Sequence, residues 1–458
     1  MGGIIGIKNH RNAAAFAQIG LFSLQHRGQE SCGIASYDTK NRLFTLHRGS
    51  GLVMSAFSAE ILATLKGDSA IGHVRHPTSG VKSGIYDAQP FTFNTSLGEI
   101  AIALSGNIIN TKSILAQMRK KGAILQHSSE TEFIIHLIAH ENKPLEAALK
   151  KTLPQIEGGF AAVMISGGKL IAFRDPHGIR PLVLGKIEGA YIVASETSAM
   201  EALGGEYIRD IKPAEVIIVE NGKIKSFFYT KAGKLQNCIF EQIYMSRPDS
   251  VIRAQSVADS RMEMGRRLAG QMQNIKADFV MPVPDSGVFA AMGFAQKANL
   301  PFEMGLIRNH YMGRALIKNA QTVRETSVKL KLLPINDIIE DKKIILIDDS
   351  IVRGTTSKKI IKLLRANGAK KVHFACTCPP IISPCFYGIN MHTKQELIAA
   401  NYAREQIRKE IGANSVTFLT VKNAREACGG KTGAQGFCFS CLSGKYIYKI
   451  SKETRQGK

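Results

Sequence analysis

Ile344-Ile345-Leu346-Ile347-Asp348-Asp349-Ser350-Ile351-Val352-Arg353-Gly354-Thr355-Thr356-Ser357 is the stretch that decides the fold of the second half of the chain. Four apolar residues, most of them β-branched, form a run too short for a helix and suited to a strand buried on both faces of a parallel sheet. Two carboxylates, Asp348 and Asp349, follow where that strand ends. Ser350, Arg353, Gly354 and three hydroxyl residues then lead into a helical pattern over Lys358 to Ala369. A strand-loop-helix unit aims free backbone N–H groups and the positive end of a helix dipole at one spot, and hydroxyls there add donors without bulk. Such a spot suits a phosphate monoester, with the carboxylates placed for sugar hydroxyls or a magnesium ion. An acidic turn followed by a capped helix is the plainer reading. The ordered combination of strand, Asp-Asp, Gly and Thr-Thr-Ser is far more specific than an Asp pair alone.

Working outward, the same alternation of apolar strand and amphipathic helix continues from about residue 240. Asp278 to Pro284 precedes a helix over Gly287 to Ala298, and Lys371 to Cys376 follows the first unit, so a parallel sheet with helices on both faces is expected. Pro282 to Gly287 is a second strand-to-helix junction, carrying Asp285 and Ser286; alone it reads as a Pro-Asp turn with an N-cap serine. Residues 1 to about 230 instead show many short β-runs, among them Ala70 to Val74, Ala101 to Leu104, Ala161 to Ile165 and Tyr191 to Ala194. Thr230 to Gln236 is the linker candidate. Two domains are expected, 1–235 and 236–458.

Composition excludes several classes. The 458 residues contain no apolar run of membrane-spanning length and no secretory leader, so a cytoplasmic protein is expected. Eight cysteines at uneven spacing then read as thiols or metal ligands and not as a disulfide framework. The net charge of +23 raises nucleic acid, but the basic residues are scattered and no nucleic-acid motif accompanies them, so specific nucleic-acid binding is not expected. A polyanionic small substrate accounts for the charge as well.

The run Ile347 to Ser357 resembles the phosphoribosyl pyrophosphate loop of type I phosphoribosyltransferases, and its wording is closest to the amidophosphoribosyltransferases, which open purine synthesis. The likeness extends through Leu24–Gln29, Asp175–Pro181, Ala194–Thr197, Ser246–Ser250, Val283–Ser286 and Pro384–Gly388. It implies an α/β protein with an N-terminal-nucleophile-type αββα glutaminase-like domain followed by a type I phosphoribosyltransferase domain. It further implies phosphoribosyl pyrophosphate as substrate, magnesium held through Ser286, Asp348 and Asp349, purine nucleotide effectors and a homo-oligomer. Asp348 and Asp349 would grip the ribose, Gly354 to Ser357 the 5-phosphate with Ser350 and Arg353 in the same loop, and Asp285 with Ser286 the pyrophosphate. The basic stretch from Arg308 to Lys331 corresponds to a mobile lid, although Arg314 to Ile317 and Asn319 depart from the family wording.

The resemblance also exposes a departure. The family's glutaminase uses an amino-terminal cysteine, activated by a nearby amine and an oxyanion hole. Gly2 stands at that position here, in Met1-Gly2-Gly3-Ile4. The oxyanion segment reads Leu104-Ser105-Gly106-Asn107 where relatives have His-Asn-Gly-Asn, and the Ser-Ser-Asp-Thr segment reads Ser128 to Thr131 with Glu130. Arg75 keeps the position that binds the glutamine carboxylate, a structural ion pair being the other reading. Glutamine hydrolysis is therefore expected to be absent, leaving ammonia or another amine as acceptor. A changed acceptor, or a non-catalytic paralogue that regulates a partner, stays open.

Cys438 and Cys441 form a Cys-x-x-Cys pair, a spacing compatible with a zinc half-site, a redox pair or spectator thiols. By resemblance to members that hold a [4Fe-4S] cluster, Cys238, Cys385, Cys438 and Cys441 are its expected ligands, with Cys376, Cys378 and Cys428 left as free thiols.

Overall fold

The structure is a computed structural model that describes residues 2–76, 85–120, 122–123, 130–309, 332–391, 393–429, 435–451 and 454. Its first half is two stacked antiparallel sheets between helical layers. One sheet runs in the order Glu206–Asp210, Val183–Ile187, Ala190–Ala194, Gly2–Lys8, Ser69–Arg75, Ser31–Asp38, Leu43–Ser50. The other runs Lys223–Phe228, Glu215–Glu220, Lys169–Arg174, Gly158–Ser166, Gly98–Ile108, Phe91–Thr95.

Strand alternation explains the layering. Ile5 and Ile7 join the cluster with the helix Ala13–Ser23, whereas Ile4 faces the other sheet. On the second sheet Ile102 and Leu104 pack toward the helices Glu130–His140 and Leu145–Thr152, while Ala101, Ala103, Ala161 and Ala172 fill the space between sheets. Side chains of successive residues point to opposite faces, so each strand supplies two cores, and small residues let the sheets approach.

The second half is built on a parallel sheet ordered Phe279–Pro282, Lys343–Asp348, Lys371–Cys376, Ser415–Phe418. Its central strand, Ile344 to Ile347, is buried on both faces, as its unbroken apolar run predicts. The helix after it spans Thr355–Ala366 and not Lys358 to Ala369. The three hydroxyl residues thus form its first turn, where unpaired N–H groups favour them. Gly354 precedes it at φ +77°, a conformation in which a Cβ would lie 2.7 Å from Ile398 Cδ1.

Residues 231–236 carry no regular structure, yet they are tied down: Gly233 N–H donates to Pro176 O at 2.8 Å and Gln236 N–H to His177 O at 2.8 Å. Immediately after them, Asn237–Cys238 pairs in parallel with Phe437–Cys438, so the tail returns to the start of the second half. Among the described residues, no helix is long and apolar enough to cross a membrane.

The helices Val257–Gly270 and Val288–Ala298 cross at backbone contact. A Cβ on Gly265 would lie 1.9 Å from Ala290 O, and one on Gly293 2.0 Å from Met262 O. Gly265→Ala should therefore cost about 1–3 kcal/mol despite alanine's better helix propensity. Gly270→Ala, at the end of the same helix with open space around it, should be neutral or slightly stabilising. Denaturant midpoints of the two variants check this; equal midpoints would contradict the close crossing.

Candidate active site

The parallel sheet brings the two sequence-predicted loops together at the carboxyl ends of its strands. Ser286 Oγ donates to Asp349 Oδ1 at 2.6 Å, across 63 residues. Ser350 Oγ donates to the other oxygen of the same carboxylate, and Asp349 N–H donates to Asp348 Oδ1 at 2.9 Å. Asp348 and Asp349 are both buried, each 6% exposed. Burial first, and the neighbouring charge of Asp349 second, hold the Asp348 carboxyl well above the usual range.

The rim is more open. Arg353 Nη2 pairs with Glu396 Oε1 at 2.5 Å, and Arg308 Nη1 with Asp285 Oδ2 at 2.6 Å, all four side chains being substantially exposed. Such exposed pairs cost little to exchange for a ligand's charges. Thr355, Thr356 and Ser357 stand on the first helical turn behind Gly354. Arg308 at the rim was absent from the predicted site residues except as the start of the basic stretch, and Arg261, whose charge acts on Asp349's neighbourhood, carries no sequence signal at all. Burial lowers Arg261, and Asp349 opposes that fall. Residues 310–331, the expected lid, lie outside the described residues.

Behind the carboxylates the backbone leads to the cysteines. Thr377 N–H donates to Asp348 O at 3.1 Å and Cys378 N–H to Asp349 O at 2.7 Å; the chain then runs on to Cys385. Ile382 and Ser383 N–H both donate to Cys441 O at 3.1 Å. Cys238 and Cys438 are directly opposed in the short parallel pair. All eight cysteines are buried, reduced thiols. Burial raises Cys238, Cys438 (to about 11) and Cys441, and Cys385 acts on each of the three as well. Cys238, Cys385, Cys438 and Cys441 therefore share one buried neighbourhood. No group of three or more His, Cys, Asp or Glu side chains among the described residues is placed to hold a metal ion.

The other expected site lies at the end of the Gly2–Lys8 strand. Gly2 pairs with Arg75 in register. A Cβ on Gly2 would lie 2.4 Å from His73 Nε2 and 2.5 Å from Val74 O, so an imidazole fills the space a side chain would need. Burial, then neighbouring positive charge including Arg75, pulls His73 down to about 3, which keeps it neutral at pH 7. Ser105 Oγ donates to Gly2 O at 2.6 Å. Gly106 packs against Gly159 O, where a Cβ would lie 2.1 Å away. Arg75 Nη2 reaches Asp87 Oδ2 at 3.4 Å, and its buried Nη1 has no hydrogen-bond partner among the described residues. Glu130 accepts from Ile108 N–H at 2.9 Å, while Ser128 and Ser129 lie outside the described residues.

Comparison with known proteins agrees with this architecture. A glutamine amidotransferase domain model matches residues 78–202, and a phosphoribosyl transferase domain model matches residues 258–384. The chain is 40% identical to the amidophosphoribosyltransferase of Archaeoglobus fulgidus, covering 99% of both chains. It is also 40% identical to the Bacillus subtilis amidophosphoribosyltransferase, covering 99% of this chain and 95% of that one. The solved glutamine phosphoribosylpyrophosphate amidotransferase from Bacillus subtilis, complexed with ADP and GMP, superposes with a TM-score of 0.93 at 39% identity over all of both chains. By sequence over its full length, and by fold, the chain belongs to the amidophosphoribosyltransferase family.

Proposed function

We propose that the protein forms 5-phosphoribosylamine and pyrophosphate from phosphoribosyl pyrophosphate, the first step of purine synthesis, taking its nitrogen from ammonia and not from glutamine. One observation carries the reading: the carboxylate and hydroxyl groups of the phosphoribosyl site are assembled, while the space for a glutaminase nucleophile at Gly2 is filled by His73. The division at about residue 235 belongs to the same reading, with the first domain kept as a support.

The chemistry follows from the groups present. Loss of pyrophosphate leaves positive charge on the ribose ring, so the site must hold both ends of the substrate and stabilise the leaving group. Asp348 and Asp349 accept from ribose hydroxyls, the helix turn from Thr355 to Ser357 receives the 5-phosphate, and Asp285 with Ser286 faces the pyrophosphate. Magnesium, when bound, neutralises the leaving group; Ser286, Asp348 and Asp349 are the oxygens that would hold it. Magnesium is commonly bound through one or two carboxylates plus substrate phosphates, so a site without a full protein cage fits it.

The glutaminase side lacks its nucleophile, at Gly2, and its side-chain oxyanion donor, at Ser105, while Arg75 and Gly106 keep their positions. An oxyanion donor is worth roughly 3 kcal/mol, and without a nucleophile there is no acyl-enzyme to stabilise. Ser105 spends its hydroxyl on Gly2 O. A [4Fe-4S] cluster of structural character belongs to the same reading through the family resemblance, with Cys238, Cys385, Cys438 and Cys441, which share one buried neighbourhood, as the thiols that would hold it. When bound, such a cluster would cross-link the tail to the start of the second domain.

With magnesium, ammonium salts should support pyrophosphate release at a rate that climbs with pH as free ammonia increases, and glutamine should not substitute. Asp349→Asn should lower kcat/KM by about 2–4 kcal/mol equivalent, as for loss of a charged contact to substrate. Binding of phosphoribosyl pyrophosphate without turnover, at every pH and with a panel of amines, would replace this reading by a regulatory one. Glutamate release from glutamine above the no-enzyme rate would sink the ammonia requirement.

Asp348 gives a separate test. Its folded-state pKa is raised, so its contribution to stability is greatest below the unfolded carboxylate range and is lost as pH climbs through the folded value. Asp348→Asn, which cannot ionise, should therefore melt higher than the parent at pH 8, on the order of 2–5 °C, with a smaller gap at pH 5. Thermal scans without magnesium or substrate measure this. A gap independent of pH, or a variant less stable at pH 8, contradicts the buried-carboxylate account.

A further inference from the structure

We propose that residues 393–401 brace the phosphate-binding turn, with Ile398 as a positioning residue of the phosphoribosyl site and Glu396 as its polar partner. The inference rests on the reading of that site given above and concerns residues outside the set assigned to the substrate.

The segment is held in shape by its own side chains. Thr393 N–H and Oγ1 donate to Glu396 Oε2 at 3.2 and 3.1 Å, the pattern of a capping box. At the other end Asn401 Nδ2 lies 2.9 Å from Leu397 O and 3.0 Å from Gln395 O. Between these two locks Leu397 and Ile398 are buried. A segment fixed in this way can hold a neighbouring loop without paying to order itself first.

Three consecutive residues ahead of the helix Thr355–Ala366 rest on it. Ile398 opens the helical turn Ile398–Asn401, so its N–H has no partner within that turn and donates instead to Val352 O at 2.9 Å. Arg353 pairs with the other oxygen of the Glu396 carboxylate. Ile398 Cδ1 comes within 2.7 Å, and Ile411 Cγ2 within 3.5 Å, of the point where a Cβ on Gly354 would stand. Gly354 holds the left-handed conformation from which the helix starts, so these contacts fix the direction in which the N–H groups of its first turn point. Donors that are already aimed receive a phosphate without first losing freedom of their own. The Arg353–Glu396 pair is exposed and holds little alone, so the larger share falls to the buried side chain and backbone N–H of Ile398.

The test uses the full chain as wild type, Ile398→Ala, Ile398→Val, Glu396→Ala and, as a control, Glu410→Ala, which removes a similarly exposed pair with Lys358 of the same helix. Calorimetry gives the dissociation constants of ribose 5-phosphate, which carries only the phosphate end of the substrate, and of magnesium pyrophosphate, which carries only the other. KM for phosphoribosyl pyrophosphate and kcat with ammonium are measured beside them. Ile398→Ala should weaken ribose 5-phosphate and raise KM by roughly 5- to 20-fold, while pyrophosphate binding and kcat change by less than about 2-fold, because binding at one end is lost equally from ground and transition states. Ile398→Val should recover most of the loss, Glu396→Ala should weaken ribose 5-phosphate by about 2- to 5-fold, and Glu410→Ala should match wild type. General damage to the fold would weaken both ligands together. Unchanged ribose 5-phosphate binding in Ile398→Ala or in Glu396→Ala, or an equal loss for the two ligands, overturns the brace, so Glu396→Ala still decides should Ile398→Ala not fold. Wild type that binds neither ligand overturns the reading of the site, and this inference with it.

Discussion

The two halves of this chain are held by a buried ion network that neither could satisfy alone. Arg27 and Arg180 from the first half meet Glu241 of the second, while Glu196 of the first receives Arg27 and His26. Burial opposes the charged form of every carboxylate here. For Glu196 it is outweighed by His26 and Arg27, which hold it well below the usual carboxylate range, and for Glu241 by Arg27 and Arg180, which lower it as well. The second half contributes neutral donors as well: Ser250 Oγ to Glu196 Oε2 at 2.7 Å, Arg247 N–H to the same oxygen at 2.9 Å, and Ser246 Oγ to Glu241 Oε2 at 2.7 Å. Removing one member of a buried set strands the rest, at a typical cost of 3–5 kcal/mol.

On the proposed reading, that constraint accounts for the retention of a glutaminase-like half with Gly2 at the position of the nucleophile. Arg27 Nε also donates to Gly2 O at 3.4 Å, beside the Ser105 hydroxyl, so the Gly2 carbonyl is held by the turn Gln25–Arg27 and by a strand of the second sheet. Asn107 Nδ2 donates to Phe386 O at 2.9 Å, next to Cys385. The strand Gly98–Ile108 thus holds the loop that carries one of the expected cluster thiols. Through Thr377 and Cys378 the same loop supports the carbonyls of Asp348 and Asp349. On the proposed reading, support of the phosphoribosyl site gives the first half a role without glutamine chemistry.

Much of this was legible where the determining contacts are local. The strand from Ile344 to Ile347, the carboxylate pair after it and the glycine before a hydroxyl-rich turn are all read from adjacent residues. The helix start shifted from Lys358 to Thr355 because hydroxyl residues that look like loop are also good first-turn residues. The contact between Ser286 and Asp349 needs two strands of a parallel sheet in register, which no local pattern encodes. His73 in the space beside Gly2, and the pairing of Arg180 with Glu241, are likewise properties of packing between distant strands and loops. Gly2 itself was visible only through the family resemblance; nothing in the residues around it announces a missing thiol.

The central claim is that the phosphoribosyl site works on ammonia while the amidotransferase half is chemically silent. The most direct measurement supplies phosphoribosyl pyrophosphate and magnesium with amide-labelled [15N]glutamine and unlabelled ammonium together, then determines by mass spectrometry which nitrogen enters the trapped phosphoribosylamine. The account predicts product carrying only the unlabelled ammonium nitrogen. Incorporation of 15N above the level set by spontaneous deamidation of glutamine would contradict it.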